Sequence, residues 1–241
     1  MGMCGRFSHS TGMAEISDFL KREVRVERAR YNIAPRQMAP VVVMTITGPS
    51  LLHHRWGLIP SWAKEESVGD KMINARSETV LEKPSFRNAF KLRRCLVIAD
   101  GWYEWSYVGR TKVPWRICRT RGQGVVCFAG LYETWTPPEI RTASETYGIA
   151  RQTFTILTTE ANQTLSRLHD RMPVVLDKSS WAEWLDPMTR VDKAQALLLP
   201  ADEADFHAYR VTPKVGRSDF DNPLAHAPLP DLELDLGDAA F

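Results

Sequence analysis

The chain has 241 residues, 44% of them apolar and 25% charged, with eight tryptophans, a mixture that suits one domain of generous size or two small ones with an ordinary core. The formal net charge of +2 points to no partner by itself, but residues 225–241 hold Asp231, Glu233, Asp235 and Asp238 and no Lys or Arg, which leaves a mildly basic body compatible with a phosphate-bearing partner or simply with a solvated surface. Cys4, Cys95, Cys118 and Cys127 form no CxxC pair and no Cys/His cluster, and there is no signal peptide or long apolar run, which speaks against a disulfide framework, a zinc site or a membrane span and for a reducing, cytoplasmic setting.

In chain order, Met13, Ile16, Phe19 and Leu20 recur at helical spacing, predicting an amphipathic helix from about Thr11 to Glu23. "YNIAP" (residues 31–35) reads as a loop, with Pro35 holding Ala34 extended. "APVVVMTI" and "LLHHRW" read as two strands joined by a turn at Gly48-Pro49, and "PSFRNAFKL" as a short helix. "RRCLVIADGWYEW" is an apolar run that turns a glycine corner and leaves as an aromatic strand. With "VPWRICR" and "VVCFAGLYE" it has the spacing of an antiparallel meander.

The polar stretch 136–150 reads as a surface loop, and "TFTILTT" as a half-buried strand. "ANQTLSRL" is a short helix leading to "HDRMP", and Ser180 with Glu183 reads as a capping box starting a helix that buries Trp181, Trp184 and Leu185. "RVDKAQALLL" is a further helix and "HAYRV" a last strand. The whole is an α+β chain: one β-rich domain over residues 4–221 with peripheral helices, then an acidic, flexible tail over 222–241.

Four residue groups could carry chemistry. The chain opens "MGMCGRF"; loss of residues 1–3 would give Cys4 a free α-amine beside its thiol. These groups titrate near about 8 and about 8.5, so both are nucleophiles close to neutrality. An aldehyde would condense with the amine to an imine, and the thiol would close a five-membered thiazolidine on it. An internal cysteine cannot do this, because its nitrogen is an amide.

"INARSE" puts Asn74 and Arg76 on one face of an extended segment. Glu104, set among aromatics in "ADGWYEW", has the surroundings that raise a carboxyl pKa and suit proton transfer. "LHDRMP" offers His169 for proton exchange and Arg171 for a bidentate phosphate grip. Each also has a plain structural reading: Cys4 as a small buried residue, Asn74 as a turn former, Glu104 as a strand surface residue, His169 as a helix cap. Neither a GxGxxG nor a P-loop occurs, so no cofactor is expected.

Together "MCGRF", "YNIAP", "INARSE", "ADGWYEW" and "LHDRMP", in this order, resemble the SRAP family, the SOS-response-associated peptidase or abasic-site processing proteins, over about Cys4 to Asp221. The resemblance implies a barrel-like sheet core and binding of single-stranded DNA that carries abasic sites. It implies Cys4 as the nucleophile forming a thiazolidine crosslink, Asn74 orienting the closing ring, and Glu104 as general acid/base. His169 would position the sugar or its 3′ phosphate and assist proton transfer, including reversal or strand cleavage. Arg6, Arg76 and Arg171 would contact phosphates and Trp62, in "RWGLIPSWA", would wedge beside the lesion. DNA-bound protein would then be nucleoid-associated. With no oligomerisation seam, a monomer is expected.

The family has its cysteine directly after the initiator methionine, whereas Met1-Gly2 precede Met3 here; Met3 is expected to be the natural start, lost in the mature chain. Two rivals remain: a cysteine peptidase that processes its own leader, and a module that binds single-stranded DNA without bond formation.

Overall fold

The computed structural model describes residues 4–11, 13–25, 28–120, 124–138 and 150–229. Cys4 leads into strand β1 (Phe7–His9) and helix α1 (Met13–Leu20), which turns Met13, Ile16 and Leu20 inward. The helix ends before Glu23 because the chain reverses at Lys21, which sits at φ 53. Next come β2 (Arg30–Ile33), β3 (Met38–Thr45), β4 (Gly48–Trp56), β5 (Asn74–Arg76) and α2 (Arg87–Leu92). After these follow β6 (Arg94–Ala99), β7 (Gly101–Val108), β8 (Thr111–Arg119), β9 (Val126–Trp135) and β10 (Arg151–Glu160). The chain continues through α3 (Gln163–Ser166), β11 (Arg171–Pro173), β12 (Val175–Leu176), α4 (Trp181–Leu185), α5 (Val191–Ala196) and β13 (Phe206–Arg210).

Strands β10, β4, β3, β6 and β9 pair in that order, and β9 pairs again with β10, so the sheet closes into a ring. This is the barrel-like core expected of an α+β, β-rich chain. Alternation along the ring strands separates two apolar clusters. Val41, Val43, Val97, Phe128 and Phe154 face one, together with Trp102, Trp115 and Phe206 of the second sheet. Val42, Leu96, Ile98, Ala129 and Leu157 face the other, with Ile16, Phe90, Trp184 and Ala194 of the helices. The second sheet runs β13-β8-β7-β1-β2 and is antiparallel throughout.

Several local expectations change. The meander breaks after β8: β9 is apolar on both faces and joins the ring, while β8 pairs with β13 instead. β10 is buried on both faces over Thr153–Thr159, not on one, because Phe154 and Ile156 pack into one apolar cluster and Leu157 into the other. "YNI" is strand β2, not loop: Asn32 is buried, and its amide donates to the carbonyls of Arg217 and Phe220, each at 2.9 Å. The β3–β4 turn closes at Ile46-Thr47 with Gly48 at φ 106, and Pro49 lies inside β4 opposite Met44. Ser180 makes no side-chain cap to α4, whose first turn continues a preceding 3-10 turn. Asn162 caps α3 instead, accepting from Leu165 N at 2.9 Å.

Residues 222–229, expected in the tail, lie against the body: Ala225 is buried and Leu229 N donates to Arg210 O at 3.0 Å. Residues 230–241, and most of the loop expected over 136–150, lie outside the described residues.

Gly101 sits where the chain steps from β6 to β7. A Cβ there would stand 2.6 Å from the Ile117 carbonyl oxygen of β8. Gly101→Ala is therefore expected to destabilise by about 1–3 kcal/mol, read as a lower urea midpoint at unchanged slope.

Candidate active site

Asp100 fixes this step. Its carboxylate accepts from Ser8 Oγ at 2.5 Å, Ser10 N at 2.6 Å, Ser10 Oγ at 2.6 Å and Thr11 N at 3.2 Å, and pairs with Arg116 at 3.2 Å. Asp100 is buried, so these donors and the guanidinium hold it ionised, below its ordinary range even against desolvation. The result clamps β1 against β7 in the register Phe7↔Trp102. Alternation then puts Trp102 and Glu104 on the face turned to the ring, and Tyr103 on the opposite face with Arg116.

Cys4, just upstream of β1, lies over Glu104. Its backbone N–H donates to Glu104 Oε1 at 2.9 Å, and both residues are buried. Cys4 O accepts from Asn74 Nδ2 at 3.5 Å. Asn74 is delivered by β5, which runs parallel to β10 with Asn74 opposite Ile156. Three segments about 30 and 70 residues apart in the chain thus meet at one atom group. Cys4 itself has φ 30, a left-handed conformation that costs a residue with a Cβ about 1–3 kcal/mol.

The electrostatics favour protonated groups. Burial pushes the Glu104 carboxyl up to about 8, helped by the charge of Asp170 and opposed by the Cys4 N–H and Lys112. Burial, and then the neighbouring Glu104, push the Cys4 thiol well above its usual range. At neutral pH the site holds a carboxylic acid and a thiol rather than two anions.

His169 lies at the turn before β11, next to Asp170, whose charge acts on Glu104. Arg171 N donates to His169 Nδ1 at 3.1 Å, while Asp170 Oδ1 lies 2.8 Å from the same nitrogen. These contacts exclude one another: a neutral ring accepting at Nδ1 carries its proton on Nε2, whereas contact with Asp170 needs the proton on Nδ1. Placing the ring proton on Nδ1 rather than Nε2 exchanges one partner for the other.

The expected phosphate contacts fall into two kinds. Arg171 has its fork on Glu78, at 2.7 and 2.8 Å, and also donates to Thr158 O at 2.7 Å. The bidentate grip expected for a phosphate is spent on a carboxylate of the chain, so Arg171 ties β11 to the turn after β5. Arg6 donates to Val215 O at 2.6 Å and Gly216 O at 3.1 Å; these acceptors are neutral and leave its charge uncompensated. Arg76 is exposed at the end of β5, one residue beyond buried Ala75. Trp62 is 57% exposed on a tight turn whose Ala63 carbonyl is held by buried Trp135 Nε1 at 2.9 Å.

Asp100, Lys112 and Asp170 belong to this site without having been singled out. "ADG" was visible as a corner, but only the fold shows that its carboxylate gathers β1. Among the described residues no three His, Cys, Asp or Glu side chains gather as a metal would need.

A family model described as SOS response associated peptidase (SRAP) matches residues 3–218. Abasic site processing protein YoaM of Bacillus subtilis is 41% identical over 219 residues, covering 87% of this chain and 91% of its own. Abasic site processing protein HMCES of Gallus gallus is 31% identical over 251 residues, covering 85% and 72%. A crystal structure of a Bacteroides thetaiotaomicron protein superposes with a TM-score of 0.79 at 25% identity, over 94% of this chain and all of that one.

Glu104 makes stability depend on pH. Its folded pKa of about 8 exceeds the ordinary 4.5, so the native state keeps a proton that the unfolded chain releases. This contribution is complete below about pH 4.5 and is lost as pH rises through about 8. Glu104→Gln keeps an acceptor for the Cys4 N–H and removes the titration. Its melting temperature relative to wild type is expected to rise by at least about 3 °C between pH 5 and pH 8, measured by thermal unfolding at both pH values.

Proposed function

The chain belongs to the SOS response associated peptidase (SRAP) family, and from that premise we propose that it processes abasic sites in single-stranded DNA by forming a thiazolidine crosslink through Cys4. The observation that carries this reading is the 2.9 Å contact between the Cys4 nitrogen and the buried Glu104 carboxyl. The names of its relatives, abasic site processing proteins, support the substrate class.

The chemistry requires residues 1–3 to be gone, so that the nitrogen now in an amide becomes an amine. Their loss also abolishes the φ torsion that holds Cys4 in its left-handed conformation. The amine attacks the C1′ aldehyde of the ring-opened deoxyribose, giving a carbinolamine. The Glu104 carboxylic acid gives its proton to the leaving hydroxyl, which departs as water, and the carboxylate so formed takes the proton from the nitrogen, leaving an imine. A carboxyl that titrates near neutrality suits both directions of transfer. The Cys4 Sγ then bonds to the imine carbon while the thiol proton passes to the imine nitrogen. One water is lost overall and nothing is oxidised or reduced. The neutral thiol is no obstacle, because ring closure is intramolecular.

Asn74, at the Cys4 carbonyl, orients the closing ring. His169 positions the sugar or its 3′ phosphate, and its exchange between the Arg171 N–H and Asp170 offers a proton relay for reversal or strand cleavage. Trp62 stacks beside the lesion, while Arg6 and Arg76 supply positive charge for the backbone. A lesion without a base is already unstacked and is cheap to draw into the site. A trans-acting cysteine peptidase has less support, since the similar proteins are named for abasic sites.

Protein with Cys4 as its first residue, incubated with an abasic single-stranded oligonucleotide, is expected to give a band stable on a denaturing gel, with the summed mass less one water. Cys4→Ala should abolish it, and Glu104→Gln should slow it by about 10²–10⁴-fold. Equal crosslinking by protein whose Cys4 nitrogen stays acylated would overturn the mechanism.

A further inference from the structure

A second feature lies away from Cys4, past the other end of β1. A groove of about 390 Å³ opens between α1, the segment after it, and the β3–β4 hairpin. Arg22, Arg25, Arg28 and Arg30 line it, and no acidic side chain does, among the described residues. Arg22, Arg25 and Arg28 are exposed. Among the described residues Arg25 pairs with exposed Glu23, a pair too solvated to cancel its field. Arg30 is committed to Asp221 at 2.5 Å and Gln37 at 2.6 Å. Between the guanidinium groups the floor is apolar, formed in part by Met38 and Leu51, and Met38 is 49% exposed. Exposed His53 stands beside it.

We propose that this groove is a second nucleic-acid track that holds single-stranded DNA flanking the lesion, with phosphates on Arg22 and Arg28 and bases laid on the Met38–Leu51 floor. The proposal rests on the single-strand reading above. A floor of this kind would be wasted on a duplex, whose bases are stacked inward, whereas an unpaired strand presents both its charged backbone and its apolar base faces. Guanidinium planes stack on bases as well as binding phosphate, so an arginine-rimmed apolar cleft meets both demands. From Cys4 to His9 the chain advances roughly 16 Å at the extended rise per residue, near enough for one bound strand to occupy both sites.

The test uses the Arg22→Gln/Arg28→Gln double variant, whose exposed positions leave the fold intact. Binding of an unmodified 20-nucleotide single strand is followed by fluorescence anisotropy over a range of salt. Affinity is expected to fall at least roughly tenfold, and the slope of log K against log salt to shrink by about 1.4, at about 0.7 per lost phosphate contact. With the abasic strand, the concentration giving half-maximal crosslinking rate should rise while the maximal rate stays unchanged.

Unchanged affinity and slope would overturn the proposal. So would tighter binding of a poly-aspartate peptide than of the oligonucleotide through the same two arginines, which would assign the groove to acidic polypeptide. Because the unmodified strand forms no adduct, this result stands apart from whether Cys4 forms a thiazolidine.

Discussion

The site depends on how one carboxylate is satisfied. Asp100 is buried at the step between the ring and the outer sheet, and a buried anion must find donors or lose its charge. It finds them in the hydroxyls and amides of residues 8–11 and in the guanidinium of Arg116. Meeting that demand draws the start of the chain onto β7. Because side chains alternate along a strand, fixing Phe7 opposite Trp102 also decides that Glu104 points toward the ring with Cys4 above it. A slip of one residue would turn Glu104 to the opposite face.

The two carboxylates four residues apart on one strand run therefore have opposite fates. Asp100 is surrounded by donors and stays charged; Glu104 has a single backbone donor and a raised pKa. One acts as a fixed anchor and the other as a group able to give and take a proton. The difference comes from the Arg116 guanidinium and then the hydroxyl and amide donors, which Asp100 meets and Glu104 does not, since both are deeply buried.

Much of this was legible from the residues. The amphipathic face of α1, the glycine corner and the α+β class follow from periodicity and turn chemistry. The five motifs carried the family. Other features depend on contacts between distant segments. β9 could not be assigned to the ring rather than the meander, because a continuous apolar run does not say which neighbours cover its two faces. β2 looked like a loop because Asn32 is polar, yet its amide is used up on backbone carbonyls of residues 217 and 220. Arg171 looked like a phosphate ligand because nothing in "LHDRMP" reveals that Glu78 will face it. Asn74 and Glu104 could be picked out singly, but their meeting at Cys4 required β10 to bring β5 alongside.

β10 also sets a timetable. It is the strand on which the ring closes and beside which β5 lies, and it begins only at Arg151. A ribosome must therefore deliver well over half of the polypeptide before the contacts around Cys4 can form. Topologies dominated by such distant pairings also fold slowly. During that interval the start of the chain, Cys4 included, stays open to solvent, and Cys4 and Glu104 are buried only once the last ring strand is in place.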